Sequence, residues 1–290
     1  MVNPVLIERD TMVSIGNAIR NKGGATTPLA PGQMPAAINN ISGGSVEPCI
    51  VSANYLVGSL KASSDSTTMP HNNWDKVKDL IDYENASYLG SMFANREDLT
   101  IREVEEFLSH SMPNVYELTG MAYRATFIDS DIATHVFDLT LDSPNCVNYN
   151  SMFEDAIYMK HLKLTVPSHN VDFKMIYLCS GAQLKTIEIK GPGLNYLTSL
   201  ANFSNANSFL ETVTIGDDNT DYSKLTDTRN MLSGCSHLRI LTIKGINVLP
   251  LASTNAVPST ISFIKVPAAL VDTYKNATNW STFANKISAI

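Results

Sequence analysis

The chain has 290 residues and a net charge of −7, with 44% hydrophobic and 17% charged residues. These values are typical of a folded, soluble protein of one large or two ordinary domains. They argue against nucleic-acid binding, which needs a clustered basic face. No stretch of 18 consecutive apolar residues occurs, so no membrane span is predicted. The start, Met1-Val2-Asn3-Pro4, lacks the basic and apolar regions of a secretory signal.

Residues 1–44 are predicted to form a small helical attachment module. Apolar residues recur at helical spacing over residues 9–21 and again over residues 33–41. Two such short helices are too small to be stable alone, so they need a partner surface or self-association. A disordered leader is the alternative. The side chains expected to dock are Met12, Ile15, Ile19, Met34 and Ile38.

Residues 45–86 are expected to connect this module to the region that follows and to cap the N-terminal end of that region. The apolar residues predict short strands over residues 49–51 and 53–61 and a short helix from Trp74 to Ile81.

An apolar pattern, apolar-x-x-apolar-x-apolar with x any residue, recurs through residues 87–267. The second apolar positions of successive copies are 21 to 28 residues apart. Its last three positions alternate, which predicts a short strand with one buried face. The copies start at Val136, Met159, Leu184, Leu210, Leu238 and Ile261, and a weak copy, Val115-x-x-Leu118, precedes them.

A second pattern precedes most of these strands. It consists of a bulky apolar residue, a small residue four positions later and an apolar residue three positions after that. This i, i+4, i+7 spacing is typical of a helical turn. The copies start at Met92, Met121, Met152, Tyr177, Phe203 and Met231. A unit of one turn and one strand cannot bury its own apolar face, but stacked units can. The sequence therefore predicts an α/β solenoid with a parallel strand ladder; an unrelated α/β domain is the alternative.

These repeats resemble the irregular leucine-rich repeats of BspA-like surface proteins. The resemblance is carried by Ser91-Met92-Phe93, Ser151-Met152-Phe153 and the Met231-x-x-x-Cys235-x-x-Leu238 spacing. Residues 268–290 resemble that family's terminal segment and are expected to cap the stack. The capping side chains would be Leu270, Tyr274, Trp280, Phe283 and Ile287. The resemblance implies a leucine-rich-repeat-type solenoid, a fold that serves many binding tasks.

Residues 15–38 resemble a module found near the N-termini of tail and baseplate proteins of phages that infect Gram-positive bacteria. The matching pattern is Ile15-x-x-Ala18-Ile19-Arg20-x-Lys22-x-Gly24, then Leu29-x-Pro31-x-x-Met34-x-x-Ala37-Ile38. The resemblance implies that residues 1–44 attach the chain to other tail or baseplate proteins. It also implies a homo-oligomer, with a trimer as the first expectation, in a virion or an extracellular phage-like particle.

No catalytic, cofactor or metal site is predicted. Nucleotide-binding loops and zinc-protease motifs do not occur, and the four cysteines are too far apart for a zinc site. Cys179 and Cys235 fall in apolar patterns and are expected to be buried free thiols. Residues 103–106 are acidic and predict a solvated helix face. Residues 217–221 are the best Ca²⁺ candidate, but they lack the spacing of a calcium loop.

The outward residues of the predicted strands form the candidate binding surface. One column is Thr140, Lys163, Glu188, Thr214, Thr242 and Lys265, and the adjacent column is Asp138, His161, Thr186, Thr212, Ile240 and Phe263. Polar side chains stacked on a ladder make a rigid recognition surface. The alternative is an ordinary solvated face whose threonines simply suit strands.

Together these features predict a non-enzymatic tail or baseplate component whose repeats contact a host cell-wall glycan or surface protein. A bacterial surface or secreted adhesin with the same repeats is the first alternative. A tail-associated glycan depolymerase is the second, because solenoids can carry catalytic carboxylates on their faces.

Overall fold

The computed structural model describes Trp74, Lys78, Ile81 and residues 83–290, which form an α/β structure built on a parallel sheet. The predicted docking helices and the strands expected over residues 49–61 lie outside the described residues. Within the described part of the chain, no helix is long and apolar enough to cross a membrane.

Seven strands form the main sheet, in chain order and all parallel, and two short strands form a second ladder. The main strands are β1 (Val136–Thr140), β2 (His161–Thr165), β4 (Thr186–Lys190), β6 (Thr212–Ile215), β7 (Ile240–Ile243), β8 (Phe263–Val266) and β9 (Ile287–Ala289); β3 (Phe173–Lys174) and β5 (Leu197–Ser199) make the second ladder. Within residues 83–290, the α-helices are α1 (Ile101–Leu108) and α2 (Val271–Asn276), and 3₁₀ helices cover Pro192–Tyr196, Thr254–Ala256, Ala268–Leu270 and Trp280–Lys286.

The strands form where the sequence alternates between aliphatic and polar residues. In β2, Leu162 and Leu164 are buried while the residues between and beside them reach the surface. Leu162 pairs with Ile187 of β4, and the next strands continue the same apolar column. Each fully buried aliphatic side chain contributes about 1.5–3 kcal/mol to folding. A stretch of chain from one main strand to the next is called a repeat unit below.

The register expected for β1 is wrong by two residues. Asp138 pairs with Lys163, whereas the sequence pattern had aligned Thr140 with Lys163. Phe137 is buried as well as the expected Leu139 and Leu141, so the apolar alternation begins two residues earlier than expected. A period of two does not distinguish registers that differ by two residues.

The segments expected to be helical turns are pairs of β-turns. Ser151 and Asp155, four positions apart, both have a φ of 55°. The N–H of Glu154 donates to the carbonyl of Ser151, the i to i+3 bond of a β-turn. Alternate N–H groups point along the stack, so Phe153 donates to the carbonyl of Leu178 in the next unit at 2.8 Å. A helix would use those N–H groups internally, so the helical-turn prediction is wrong.

The i, i+4, i+7 spacing still marks buried side chains, because two successive tight turns also return the chain to one face. The expected register is off by one in two units. Tyr177 is exposed and its neighbour Leu178 is buried, and Ile128 is exposed while Phe127 is buried.

The second ladder runs beside the turns and explains the weak copy at Val115. Glu117 bridges to Tyr88 on one side and to Asn148 on the other, both in parallel. Val115 and Leu118 are buried, but their segment belongs to this ladder. The expectation that they begin a main-sheet strand is wrong.

Helix α1 lies beside β1, in the unit that precedes the first strand of the main sheet. Thr100 caps it, and its hydroxyl and N–H both donate to the Glu103 carboxylate at 2.8 and 2.9 Å. Glu103 is 2% exposed, so the prediction of a solvated acidic face is wrong there. Glu106 also has partners, since the indole of Trp74 donates to it at 2.8 Å and Lys78 pairs with it. These contacts lower the pKa of Glu106.

The other end of the sheet is covered by the C-terminal segment. Tyr274, Trp280, Phe283 and Ile287 are buried, and Leu270 packs at the edge of the core. The Trp280 indole donates to the carbonyl of Leu249 at 2.7 Å. Strand β9 adds a seventh strand beyond β8, which the sequence pattern did not predict.

Candidate binding surface

The outward side chains of the main sheet form two columns, aligned by the observed register. The first column is Val136, His161, Thr186, Thr212, Ile240 and Phe263; the second is Asp138, Lys163, Glu188, Thr214, Thr242 and Lys265. Thr140 lies beside Thr165 in a third column. The structure therefore brings the predicted residues together, with β1 moved by one outward position.

Two charged side chains of the second column, Glu188 and Lys265, already have partners within the protein. Asp138, Lys163 and Glu188 alternate in sign at paired positions of neighbouring strands. Glu188 also pairs with Lys190 at 3.4 Å, and Lys265 donates to Ser288 at 3.0 Å. These side chains stabilise the sheet itself, so less of this column is free to bind a ligand.

The first column is less polar and is open at its C-terminal end. Phe263 is 53% exposed, and Ile240 and Val136 also reach the surface. His161 Nδ1 lies 2.9 Å from the hydroxyl of Thr186. Burial, and then the nearby Lys185 ammonium, lower the pKa of His161. The neutral form of the His161 imidazole is therefore favoured in this column.

A row of charged residues at the entrance to the strands was not predicted. The carbonyl of Lys160 accepts the N–H of Lys185, and the carbonyl of Lys185 accepts the N–H of Glu211. Glu211 is linked in the same way to Arg239. The four residues thus occupy equivalent positions in successive units, roughly 4.8 Å apart. The signal in the sequence was a lysine just before two successive strands.

Two exposed aromatic rings lie next to this row. Phe209 is 50% exposed and Tyr158 is 51% exposed. Each lies two positions before a residue of the row, Glu211 and Lys160 respectively. The ammonium of Lys160 lies 5.2 Å from the centre of the Phe209 ring. It also donates to the side-chain and backbone oxygens of Gln183, at 3.2 and 3.3 Å.

A separate cavity of about 600 Å³ lies between the end of α1 and the edge strand β1. Asp138 and Thr140 line it together with Glu105 and Asp142. Two of the predicted surface residues therefore border a concave space. Within the described residues, no group of three or more His, Cys, Asp or Glu side chains is arranged to hold a metal ion.

The Ca²⁺ candidate is occupied by structural hydrogen bonds. Asp217 accepts the N–H groups of Gly191 and Asn219, at 3.1 and 3.0 Å. Asp221 accepts the backbone N–H of Ser223 at 2.8 Å and the side-chain amide of Asn247 at 2.6 Å, and these two bonds lower its pKa. Both carboxylates hold turns and join neighbouring units.

The predicted thiols are buried and free. Cys179 and Cys235 are both inaccessible, as expected, and Cys146 is a third buried thiol. Burial raises the pKa of Cys235 and of Cys146 to about 12. Thiols that stay protonated in this way are poor nucleophiles, which favours a packing role.

Comparison with known proteins adds no relative to this description: no model of a known protein family matches the chain, and a search of curated proteins finds no match. The chemistry of the exposed surface and the resemblance of the N-terminal segment therefore carry the functional argument.

Proposed function

We propose that the chain is a structural and binding component of a phage tail or baseplate, or of a phage-derived particle, and that its repeat region contacts the host cell surface. The observation that carries this proposal is a continuous outward surface on seven stacked parallel strands. That surface follows, in the same chain, a segment that resembles tail-protein attachment modules.

The repeat region is proposed to be an irregular leucine-rich-repeat-type solenoid. Three features support this class: in-register pairing of consecutive strands, a second ladder beside the turns, and buried aliphatic columns that run from unit to unit. In such a stack each unit contacts mainly its neighbours, so the whole behaves as a stiff rod. A stiff rod suits a protein that presents a binding surface away from a particle.

Residues 1–44 are proposed to dock the chain to other tail or baseplate proteins, within a homo-oligomer for which a trimer is the first expectation. The docking side chains would be Met12, Ile15, Ile19, Met34 and Ile38. The repeat region would then face a host cell-wall glycan or surface protein, acting by binding and not by catalysis. No cofactor is needed for this role.

Deletion of residues 1–44 tests the proposal. Particles assembled with the truncated chain are expected to lack it, and particles with the full chain to contain it, measured by immunoblotting of gradient-purified particles. As a control, Tyr116→Ala alters an exposed side chain of the repeat region and should leave incorporation unchanged. Normal incorporation of the truncated chain would contradict the proposal.

The same material separates the two alternatives. Recovery of the full chain in the cell-envelope fraction, without particles, would indicate a bacterial adhesin. Shortening of purified host-wall polysaccharide by the protein would indicate a depolymerase.

A further inference from the structure

The row of charged residues that precedes the strands (Lys160, Lys185, Glu211 and Arg239) lies beside exposed aromatic rings. It is positively charged in a protein that is acidic as a whole. Lys160, Lys185 and Arg239 are cationic and Glu211 is the one anion of the row, so the row is net positive while the chain carries −7. Lys160, Lys185, Gln183, Phe209 and Tyr158 are called the lysine–aromatic patch below.

Lys160 and Lys185 are like-charged neighbours in the row, and Glu211 lies on the other side of Lys185. None of the ion pairs found among the described residues includes either lysine. Like charges at opposed positions of neighbouring strands are destabilising. Burial, and then the nearby Lys185 ammonium, lower the pKa of Lys160. A bound anion would remove this repulsion, so the patch has a built-in preference for negatively charged ligands.

The aromatic rings give the patch a second recognition element. Phe209 and Tyr158 each leave about half of their surface in solvent, and they stand two units apart along the stack, roughly 10 Å. A flat ring exposed in this way stacks well on the C–H face of a sugar ring. That separation is closer to the distance between alternate sugar rings of an extended polysaccharide than to the distance between adjacent ones.

The backbone of Tyr158 supports the same interpretation. Its φ is 74°, a left-handed conformation that costs a bulky residue about 1–3 kcal/mol. The paired β-turns account for most residues with positive φ, but Tyr158 lies outside them. The strained residue is an exposed aromatic at the edge of the row, and backbone strain of this kind clusters at functional sites.

We propose that the lysine–aromatic patch binds an anionic polysaccharide. Sugar rings of the ligand stack on Phe209 and Tyr158, and Lys160 and Lys185 bind the acidic groups of the polysaccharide. Gln183 holds the Lys160 ammonium beside the Phe209 ring and offers its own amide to sugar hydroxyls. This inference rests on the proposed function and names the ligand class for the host-facing surface.

Binding of the full chain to four polymers tests the inference. The probes are polygalacturonate, which carries carboxylates; phosphomannan, which carries phosphates; dextran, which is neutral; and poly-glutamate, which is anionic without sugar rings. Calorimetry should show binding to one or both anionic polysaccharides, and the tighter one identifies the acidic group. Binding should weaken severalfold when ionic strength rises from about 0.05 M to about 0.5 M, because exposed charges are screened.

Variants assign the binding to the patch. Lys160→Gln/Lys185→Gln and Phe209→Ala should each weaken binding about tenfold, equivalent to about 1.4 kcal/mol. Lys160→Arg/Lys185→Arg keeps the charge and should bind nearly as well as the unaltered chain. The matched controls are Lys174→Gln/Lys275→Gln, which removes the same charge elsewhere, and Tyr116→Ala, which removes another exposed aromatic ring. Unchanged thermal unfolding shows that each variant is folded.

The inference is overturned if neither anionic polysaccharide binds, if dextran or poly-glutamate binds as tightly, or if the patch variants bind as well as their controls. None of these results concerns particle incorporation through residues 1–44. The proposed function therefore stands or falls on the deletion experiment, separately from the ligand.

Discussion

Arg96 stands where other repeat units carry a small buried residue such as Ala125 or Ala156. Its guanidinium is accommodated by two carboxylates, Asp98 at 2.7 Å and Glu103 at 3.2 Å. A large charged residue at a small-residue position does not fit the repeat pattern. The partner that explains it is Glu103, seven residues away at the start of α1, and the pattern contained no signal for that contact.

Loss of Arg96 should be costly because the Glu103 carboxylate, which is 2% exposed, loses the guanidinium that pairs with it at 3.2 Å. We expect Arg96→Ala to lower the free energy of unfolding by about 3–5 kcal/mol. Arg124 forms a more exposed pair with Asp155 at 3.4 Å, so Arg124→Ala should cost less than about 1 kcal/mol. Urea unfolding of both variants measures the difference, and equal losses would show that the Arg96 pair is not stabilising.

His169 is a buried histidine in a small polar cluster. Its Nε2 lies 3.0 Å from the carbonyl of Cys146 and 3.5 Å from the hydroxyl of Tyr149. Its Nδ1 is buried, with no hydrogen-bond partner among the residues that the structure describes. Burial lowers the pKa of His169 below its usual 6.5. The neutral form is favoured in the folded state, since a second N–H would have no acceptor.

Folding should therefore weaken in mild acid. Because the folded pKa of His169 is below the unfolded one, the unfolded chain binds more protons between the two values. The contribution of His169 is complete above about pH 6.5 and falls as the pH drops further, by at most about 1.4 kcal/mol per pH unit. His169→Gln should flatten this dependence in urea unfolding from pH 7 to pH 5. The exposed control His237→Gln should keep it, and identical slopes in the two variants would refute the role of His169.

At the scale of the elements, the strands were predictable and the turns were not. Alternation of apolar and polar residues located every main strand except β9, because burial of one face leaves a direct imprint on the sequence. The β-turn pairs also place buried residues four apart, as a helix does, so their backbone could not be recognised from spacing. The register of β1 was predicted wrongly by two residues because Phe137, Leu139 and Leu141 are all large apolar residues at alternating positions.

The C-terminal cap should be essential to the stack. Trp280 is fully buried against Tyr274 at 5.5 Å between ring centres, and its indole is hydrogen-bonded to Leu249. Trp280→Ala should lower the free energy of unfolding by about 3–5 kcal/mol, since it leaves a large cavity and an unpaired carbonyl. The exposed Phe263 is the control, and Phe263→Ala should change stability by less than about 0.5 kcal/mol. Equal effects in denaturant unfolding would mean that the segment does not cap the sheet.

At the scale of the whole molecule, part of the candidate surface could be predicted. The two outward columns followed from alternation alone, with β1 displaced by one outward position. The lysine–aromatic patch was missed because it lies just before the strands, where the chain does not alternate and where Lys160 and Phe209 meet across two units. Only the stacking of the units brings these residues together.

The central claim is that this chain is part of a particle and that its repeats face the host. Immunogold labelling of purified particles with antibodies against residues 87–290 tests it most directly. We expect label at the distal end of the tail or baseplate, and none on particles that lack the chain. Label confined to the bacterial envelope, or absent from intact particles, would contradict the account.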